Sequence, residues 1–326
     1  MKDRFERQIT YLRLSVTDRC NLRCKYCMPD EGLGPVARDD LLTDEEIEHV
    51  AQAAVQVGVQ KLRLTGGEPT LRPDLVQIVR RLAAVDGIRE LVMTTNGVRL
   101  PQLAGPLLGA GLRRVNIHLD SLDPGHVTGL SGSACLEKVR DGIAAAERVG
   151  LVPIKINTVV ARGYNEKDVV DIARLTLDRD WEVRFIEMMP LGQPARFSLE
   201  RYVPNTETMQ RIEAALGHLT PLYSGELVGE ARIYRLPGGR GNLGFISPVS
   251  HSYCDSCNHI RVTSDGRLRP CLLSDEELDL RHALRAGGTT ADLVSLFRQA
   301  LAHKPQASRL AQGVFPAARP MVGIGG

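Results

Sequence analysis

Short apolar stretches alternate with amphipathic ones at a spacing of roughly 30 residues through the first two-thirds of the chain, and this rhythm decides the fold class. Strands are expected at Tyr11–Val16, Lys61–Thr65, Glu90–Thr95, Arg114–Leu119, Val152–Val160 and Glu182–Met188. Helices fall between them at Thr43–Val57, Leu75–Ala84, Leu100–Ala110, Leu136–Val149 and Glu166–Leu177. The first opens on the capping box Thr43-Asp44-Glu45-Glu46, and Asn165 is expected to cap the last. Six β/α units imply a parallel sheet with right-handed crossovers and are too few to close the eight-stranded barrel. The expectation is an α/β fold, a partial (β/α)6 barrel of TIM type, with a flat doubly wound sheet as the alternative. After Pro190 the rhythm breaks into a helix at Thr206–Leu216 and then short strands rich in glycine. The boundary is placed near residue 220, giving a barrel domain over 1–220 and a smaller C-terminal domain over 221–326.

With 43% apolar and 25% charged residues the chain can bury a full core. A net charge of only +2 argues against a general nucleic-acid binder. The N-terminus M-K-D-R-F-E-R-Q lacks the apolar core of a signal peptide, and no apolar run approaches the roughly 18 residues of a membrane span. These features predict a cytoplasmic protein with neither nucleic-acid nor membrane partners.

Six of the seven cysteines form two groups of three. Cys20, Cys24 and Cys27 stand in C-N-L-R-C-K-Y-C, just after the first strand. Cys254 and Cys257 stand in C-D-S-C, and Cys271 follows in R-P-C. Each group is one thiolate short of a closed four-ligand site; a structural site fills every position, whereas a catalytic one keeps a position open. The first group falls at the carboxyl end of the sheet, where ligands bind in α/β folds. The spacing C-x3-C-x2-C lets three thiolates converge from one loop, as in iron–sulfur ligation with one iron left open. Zinc with a fourth ligand elsewhere is the alternative. Cys135, alone in S-G-S-A-C-L-E-K, reads as a small buried residue.

At C-x3-C-x2-C, with Tyr26 before the last cysteine, the chain resembles the radical S-adenosylmethionine (SAM) enzymes. The segment T-G-G-E-P at Thr65–Pro69, directly after the second strand, strengthens the match; its glycines are expected to let backbone approach a ligand closely. The resemblance narrows over nearly the whole chain. The runs L-R-L-S-V-T-D-R-C-N-L-R-C-K-Y-C-M-P, L-R-L-T-G-G-E-P, T-T-N-G, R-F-I-E-M-M-P and S-D-G-R-L-R-P-C-L, with the terminal Gly-Gly, are similar to the GTP 3′,8-cyclase family. That resemblance implies two [4Fe-4S] clusters, one on Cys20, Cys24 and Cys27 and one on Cys254, Cys257 and Cys271. It implies SAM at the open iron of the first and the guanine of GTP at the open iron of the second. An electron would cleave SAM to a 5′-deoxyadenosyl radical, which removes the ribose 3′ hydrogen; the sugar radical then adds to guanine C8, on the way to molybdopterin.

Carried over position by position, the family's SAM contacts fall on Tyr26, Gly67, His118 and Met189. Its GTP contacts fall on Arg13, Lys61, Arg63, Thr94, Lys155, Arg184, His259 and Arg261. Gly325 and Gly326, together with Arg261, are implied to enter the chemistry as a tail threading between the clusters. The implied partners are GTP, SAM and a flavodoxin- or ferredoxin-like electron donor; homodimerisation is left open. This chain departs from the family twice, with His118 at a position usually Ser and His259 at one usually Arg.

The cations support the resemblance independently. Strand residues alternate faces, so in K-L-R-L-T the two leucines should meet the helix layer while Lys61 and Arg63 point into the barrel. Arg13, Lys155 and Arg184 also lie in strands. Buried cations are costly unless paired, and a nucleoside triphosphate would pair them. Two other readings stay open: a radical SAM enzyme acting on another substrate such as a peptide, and a non-catalytic iron–sulfur electron carrier.

Overall fold

The computed structural model describes residues 1–29, 31, 32, 34 and 36–326. Six β/α units come first: β1 (Tyr11–Ser15), α1 (Asp44–Gln56), β2 (Lys61–Thr65), α2 (Leu75–Ala83), β3 (Glu90–Thr95), α3 (Leu100–Gly109), β4 (Arg114–His118), α4 (Pro124–Ser131), α5 (Leu136–Val149), β5 (Lys155–Val160), α6 (Val169–Asp178) and β6 (Glu182–Glu187). Strands β1 to β6 lie side by side in chain order, all parallel. The C-terminal segment adds α7 (Ala195–Glu200), α8 (Asn205–Leu216), β7 (Thr220–Pro221), β8 (Leu227–Val228), β9 (Ala231–Arg235), β10 (Asn242–Ile246), β11 (His259–Val262), β12 (Arg267–Arg269), β13 (Leu278–Asp279), α9 (Leu280–Arg285), α10 (Thr290–His303) and α11 (Met321–Ile324). Its strands extend both edges of the six: β11 pairs parallel with β1, and β10 parallel with β6. One sheet thus runs from β13 to β7 without closing on itself, which is the open partial barrel.

Local chemistry explains the elements. Thr43 accepts from the Glu46 amide at 3.1 Å and Glu46 accepts from the Thr43 amide at 2.9 Å, so the capping box starts α1 as expected. Leu62 and Leu64 are fully buried in the layer between sheet and helices, each contributing roughly 2–3 kcal/mol. Three expectations need correction. Asn165 caps no helix; it accepts from the Ala161 amide at 2.7 Å and donates to the Asp120 and Val159 carbonyls, so α6 begins only at Val169. Strand β5 starts at Lys155, since Pro153 has no amide to give a ladder. Helix α4 is absent from the expected helices; Asp123 caps it by accepting from the Gly125 and His126 amides.

Candidate active site

The first cysteine loop is held from two sides. The Cys27 and Met28 amides donate to the Cys24 carbonyl at 2.9 Å, winding the loop so that Cys20, Cys24 and Cys27 line one cavity. Gly67 and Glu68 donate to the Thr17 and Arg19 carbonyls at 2.7 Å. A Cβ on Gly66 would lie 2.5 Å from Thr17 O, and one on Gly67 2.4 Å from Arg19 O. The two glycines therefore admit the backbone leading into the cysteine loop, and both also line the cavity. Glu68, fully buried, accepts from Asn96 N, Thr70 N and Oγ1, and Thr95 Oγ1, fastening this turn to the end of β3.

Burial pushes the Cys20 thiol up to about 11 and the Cys27 thiol up to about 12. Such thiols ionise only when something draws the proton off, as a bound iron does. Beside them, Tyr26 donates to Asp120 Oδ2 at 2.6 Å, and His118 Nε2 lies 2.7 Å from the same oxygen and 2.5 Å from the tyrosine oxygen. Burial opposes the charged imidazole of His118, but Asp120 outweighs it and holds the pKa above the ordinary value.

The second cysteine loop is assembled from distant pieces. Arg7, ion-paired to Asp3, donates to the Cys254 carbonyl at 2.7 Å. Lys304, 2% exposed, donates to the His259 and Pro270 carbonyls at 2.9 and 2.6 Å, tying the start of β11 to the residue before Cys271. Cys254, Cys257 and Cys271 line a small cavity of ≈ 40 Å³. Tyr253, Arg261 and Leu272 form the wall it shares with the larger cavity, ≈ 220 Å³, that the first group lines.

Between the two groups runs a row of arginines. Strand register sets Arg13 directly opposite Arg63 on one side and Arg261 on the other. Residues in register share a face, so three buried guanidinium groups stand abreast, an arrangement that destabilises a sheet unless an anion lies over it. Arg184 joins them from β6, where Gly244 opposite leaves room; a Cβ there would meet Arg184 Cγ at 3.1 Å. Burial and the neighbouring Arg13 push Arg261 down to about 10. Arg13 Nε and Arg261 Nε have no partner among the described residues. Five of the nine buried side-chain polar atoms without a partner among the described residues line this cavity, on Arg13, Thr65, Asn116, Asn157 and Arg261. An interior that leaves donors unpaired at one place is built to meet a polar ligand there.

The predicted residues divide accordingly. Arg13, Arg63, Thr94, Arg184 and Arg261 line the larger cavity, with Tyr26, Gly67, His118, Met189 and Gly326. Arg63 donates to Tyr11 and, at 3.0 Å, to Thr94. The tail reaches the same place: Arg261 Nη1 donates to the Gly325 carbonyl at 2.7 Å. Lys61 and Lys155, the first residues of β2 and β5, lie outside the cavity lining; they are ion-paired to Glu90 at 2.7 Å and Glu182 at 2.8 Å. His259 lies 3.9 Å from Cys257 Sγ and edge-on to Tyr11, lining only the smaller cavity. Cys135 is buried, as expected.

Four residues escaped sequence reasoning: Arg7, Lys304, Glu187 and Glu230. Glu187 accepts from the Asn205, Val249 and Ser250 amides, binding the end of β6 to the C-terminal segment. The glutamate of R-F-I-E-M-M-P was a usable signal for it. None marked the others.

Comparison with known proteins agrees with this geometry. The model of the radical SAM superfamily matches residues 14–176, and that of Molybdenum Cofactor Synthesis C matches residues 181–310. A GTP 3′,8-cyclase from Pelotomaculum thermopropionicum is 44% identical over 326 residues, covering 100% of both chains. The chain belongs to the GTP 3′,8-cyclase family. A second cyclase, from Geobacter sulfurreducens, is 48% identical over 279 residues, 86% of this chain and 85% of its own. Among solved structures, Streptococcus suis SuiB bound to S-adenosylmethionine superposes with a TM-score of 0.63 at 13% identity, covering 95% of this chain and 77% of that one. Native anSMEcpe with bound AdoMet gives 0.57 at 16% identity, covering 94% and 82%. At such identities the two structures speak for the fold alone, the open barrel of the radical SAM enzymes.

The family's cofactors are two [4Fe-4S] clusters and SAM, and the donor set here fits them. Among the described residues, no three His, Cys, Asp or Glu side chains close on one ion. Each group offers three free thiols to one cavity, the donor set of a four-iron cluster with one iron open. A four-iron cube takes each cysteine on a different iron and spaces them more widely.

Proposed function

We propose that this chain converts GTP to (8S)-3′,8-cyclo-7,8-dihydroguanosine 5′-triphosphate, the first step toward molybdopterin. The observation that carries the reading is the row Arg261, Arg13 and Arg63 with Arg184 beside it, in a cavity that also holds Cys20, Cys24 and Cys27. Four guanidinium groups suit a triphosphate, and the cysteine loop suits the cluster that cleaves SAM. Cys20, Cys24 and Cys27 would hold one cluster and Cys254, Cys257 and Cys271 the other; when bound, the first would supply an electron for the reductive cleavage of SAM.

The chain's own residues do the rest. The arginines neutralise the phosphates and fix the ribose by its charged end, which turns remote binding energy into orientation. Tyr26, His118 and Asp120 form a closed hydrogen-bonded group at the SAM side, in which Asp120 favours the charged imidazole. Gly325 and Gly326 carry the tail to Arg261, where its carbonyl fills one guanidinium edge beside the substrate. In this reading residues 1–220 run the radical chemistry and 221–326 position the base.

The electron donor is taken to be a flavodoxin- or ferredoxin-like protein and the compartment the cytoplasm, with homodimerisation left open; no helix among the described residues is long and apolar enough to cross a membrane. Anaerobic incubation with GTP, SAM and dithionite tests the reading. A product of GTP's mass with the 3′ hydrogen transferred to 5′-deoxyadenosine is expected. SAM cleavage that never depends on GTP and leaves it unchanged would sink the assignment.

A further inference from the structure

The arginine cage already holds an anion. Glu230, between β8 and β9, reaches into it with its side chain only 15% exposed. Its Oε1 lies 3.2 Å from Arg13 Nη1 and 3.6 Å from His259 Nε2. Burial favours the neutral acid, but Arg13, His259, Arg63 and Arg184 together outweigh it and hold the carboxyl well below the usual carboxylate range. The carboxylate stands where the sheet register demands negative charge, on the face that a triphosphate would need.

The segment carrying it is lightly held. Strand β8 has two residues and pairs only with β9, off the main path of the sheet. Val228 is 41% exposed. Gly229 has φ +70°, and a Cβ there would meet nothing within 4 Å, so open space surrounds the hairpin tip. The tip can swing without disturbing the barrel core. The cage meanwhile is not saturated, because Arg13 Nε and Arg261 Nε remain without partners beside a single carboxylate.

We propose that Glu230 is a resident counter-anion of the phosphate cage, exchanged for the substrate's phosphates as the tip of the β8–β9 hairpin swings out. Paired to Arg13, it competes with a phosphate chain for that guanidinium. A phosphate chain takes the cage only if it brings more negative charge than it displaces. Glu230 is thus a specificity residue favouring triphosphates over monophosphates, and it keeps three abreast guanidinium groups from repelling one another when the cavity is free. The identity of the nucleotide rests on the function proposed above; the exchange itself does not.

Anaerobic calorimetry on the cluster-loaded protein tests it, with inorganic tripolyphosphate, GTP and guanosine against wild type and Glu230→Gln. The glutamine variant is expected to bind tripolyphosphate and GTP tenfold or more tightly than wild type, with guanosine unchanged. Hydrogen exchange in residues 227–231 should quicken when tripolyphosphate binds wild type. Equal or weaker binding of tripolyphosphate by the variant would overturn the proposal and make Glu230 a fixed part of the site. If the variant loses guanosine as well, its fold is damaged, and Glu230→Asp takes its place, drawing the charge back by one methylene. Tighter tripolyphosphate binding then supports the exchange; unchanged or weaker binding overturns it. Should GTP fail to bind wild type while tripolyphosphate shows the gain, the exchange stands and the nucleotide assignment falls.

Discussion

The two cysteine groups face one cavity system, yet the chain builds them in opposite ways. Cys20, Cys24 and Cys27 come from one eight-residue loop folded on its own backbone and backed by the Gly66-Gly67 turn. Burial pushes the Cys20 and Cys27 thiols up, which favours their protonated forms when free. Cys254, Cys257 and Cys271 come from two separate segments, and cations assemble them: Arg7 from the N-terminus and Lys304 from the end of α10. Beside Cys257, His259 outweighs burial and pulls that thiol down to about 5. A contiguous, low-dielectric loop suits a strongly reducing cluster that must act on a bound cofactor. A charged, composite loop suits a cluster that holds a substrate and tolerates rearrangement. Position agrees, since the first loop ends β1 while the second introduces β11, the strand that carries Arg261 into the cage.

The sharpest way to break this division is to remove one thiol from each group. Cys24→Ala should abolish reductive SAM cleavage, a loss of at least a thousandfold in 5′-deoxyadenosine formed, because the electron source is gone. Cys257→Ala should retain SAM cleavage uncoupled from cyclisation, because only the substrate is misplaced. Each variant, reconstituted anaerobically, should carry fewer irons than the about 8 expected from two four-iron clusters. Equal loss of cleavage in both would mean that the groups form one functional unit.

Next in size is the composite loop's dependence on its buried lysine. Lys304→Met keeps the length and loses three donors, leaving the His259 and Pro270 carbonyls buried and unpaired. Each unmet carbonyl costs about 1–3 kcal/mol, so a loss of about 3 kcal/mol is expected, with iron lost selectively from the second group. Iron analysis and thermal unfolding read it out. A variant that keeps full iron and an unchanged midpoint would show that the cysteine loop holds its shape without the staple.

This contrast also explains what could be read from the sequence. The barrel was legible because every strand reports its burial locally: Leu62 and Leu64 against Arg63, two residues apart, say which face meets the helices. The first cysteine loop was legible because its ligands are neighbours along the chain. The second was visible only as cysteines. Its supports pair across very long separations, Arg7 with Cys254 and Lys304 with Pro270, and no local pattern marks a lysine as buried. Glu230 was hidden for the same reason, since a glutamate after glycine reads as a solvated turn until register places three arginines beneath it. His259, expected over the phosphates, lies on the same face of β11 as Arg261, one pleat before it, 3.6 Å from Glu230 and 3.9 Å from Cys257.

A moderate effect concerns the tail, which belongs to neither cysteine group and touches the wall between them. Gly325 has φ +94°, and a Cβ there would lie 2.6 Å from Thr65 Oγ1 and 2.9 Å from Ser15 Cβ. Only glycine fits both the backbone and the space. Gly325→Ala should therefore lower cyclisation about tenfold while thermal stability stays within about 1 kcal/mol, because the strain falls on a chain end and not on the core. SAM cleavage should fall less than product formation. Unchanged coupling between the two would assign the tail a purely packing role.

The last contrast sets the floor of the barrel against the cage above it. Lys61 is half-exposed against Glu90, whereas Lys155 is buried against Glu182 with Arg184 nearby. Burial and the Arg184 charge push Lys155 down to about 8, and Glu182 offsets them only in part. An unfolded lysine titrates at about 10.4. Between these values the unfolded chain binds more protons than the native one, so stability rises as pH increases from about 8 toward about 10.4. Over the whole window the gain is on the order of 3 kcal/mol. Lys155→Met removes the titrating group and leaves Glu182 to Arg184. Urea unfolding of the anaerobic proteins at about pH 7.5 and about pH 10 isolates the effect, since every other titration is common to both. Wild type should gain about 2 kcal/mol on the variant across that interval. A constant difference would mean that Glu182 holds the lysine's charge in full, and the barrel floor would then be an ordinary ion pair like the one at Lys61.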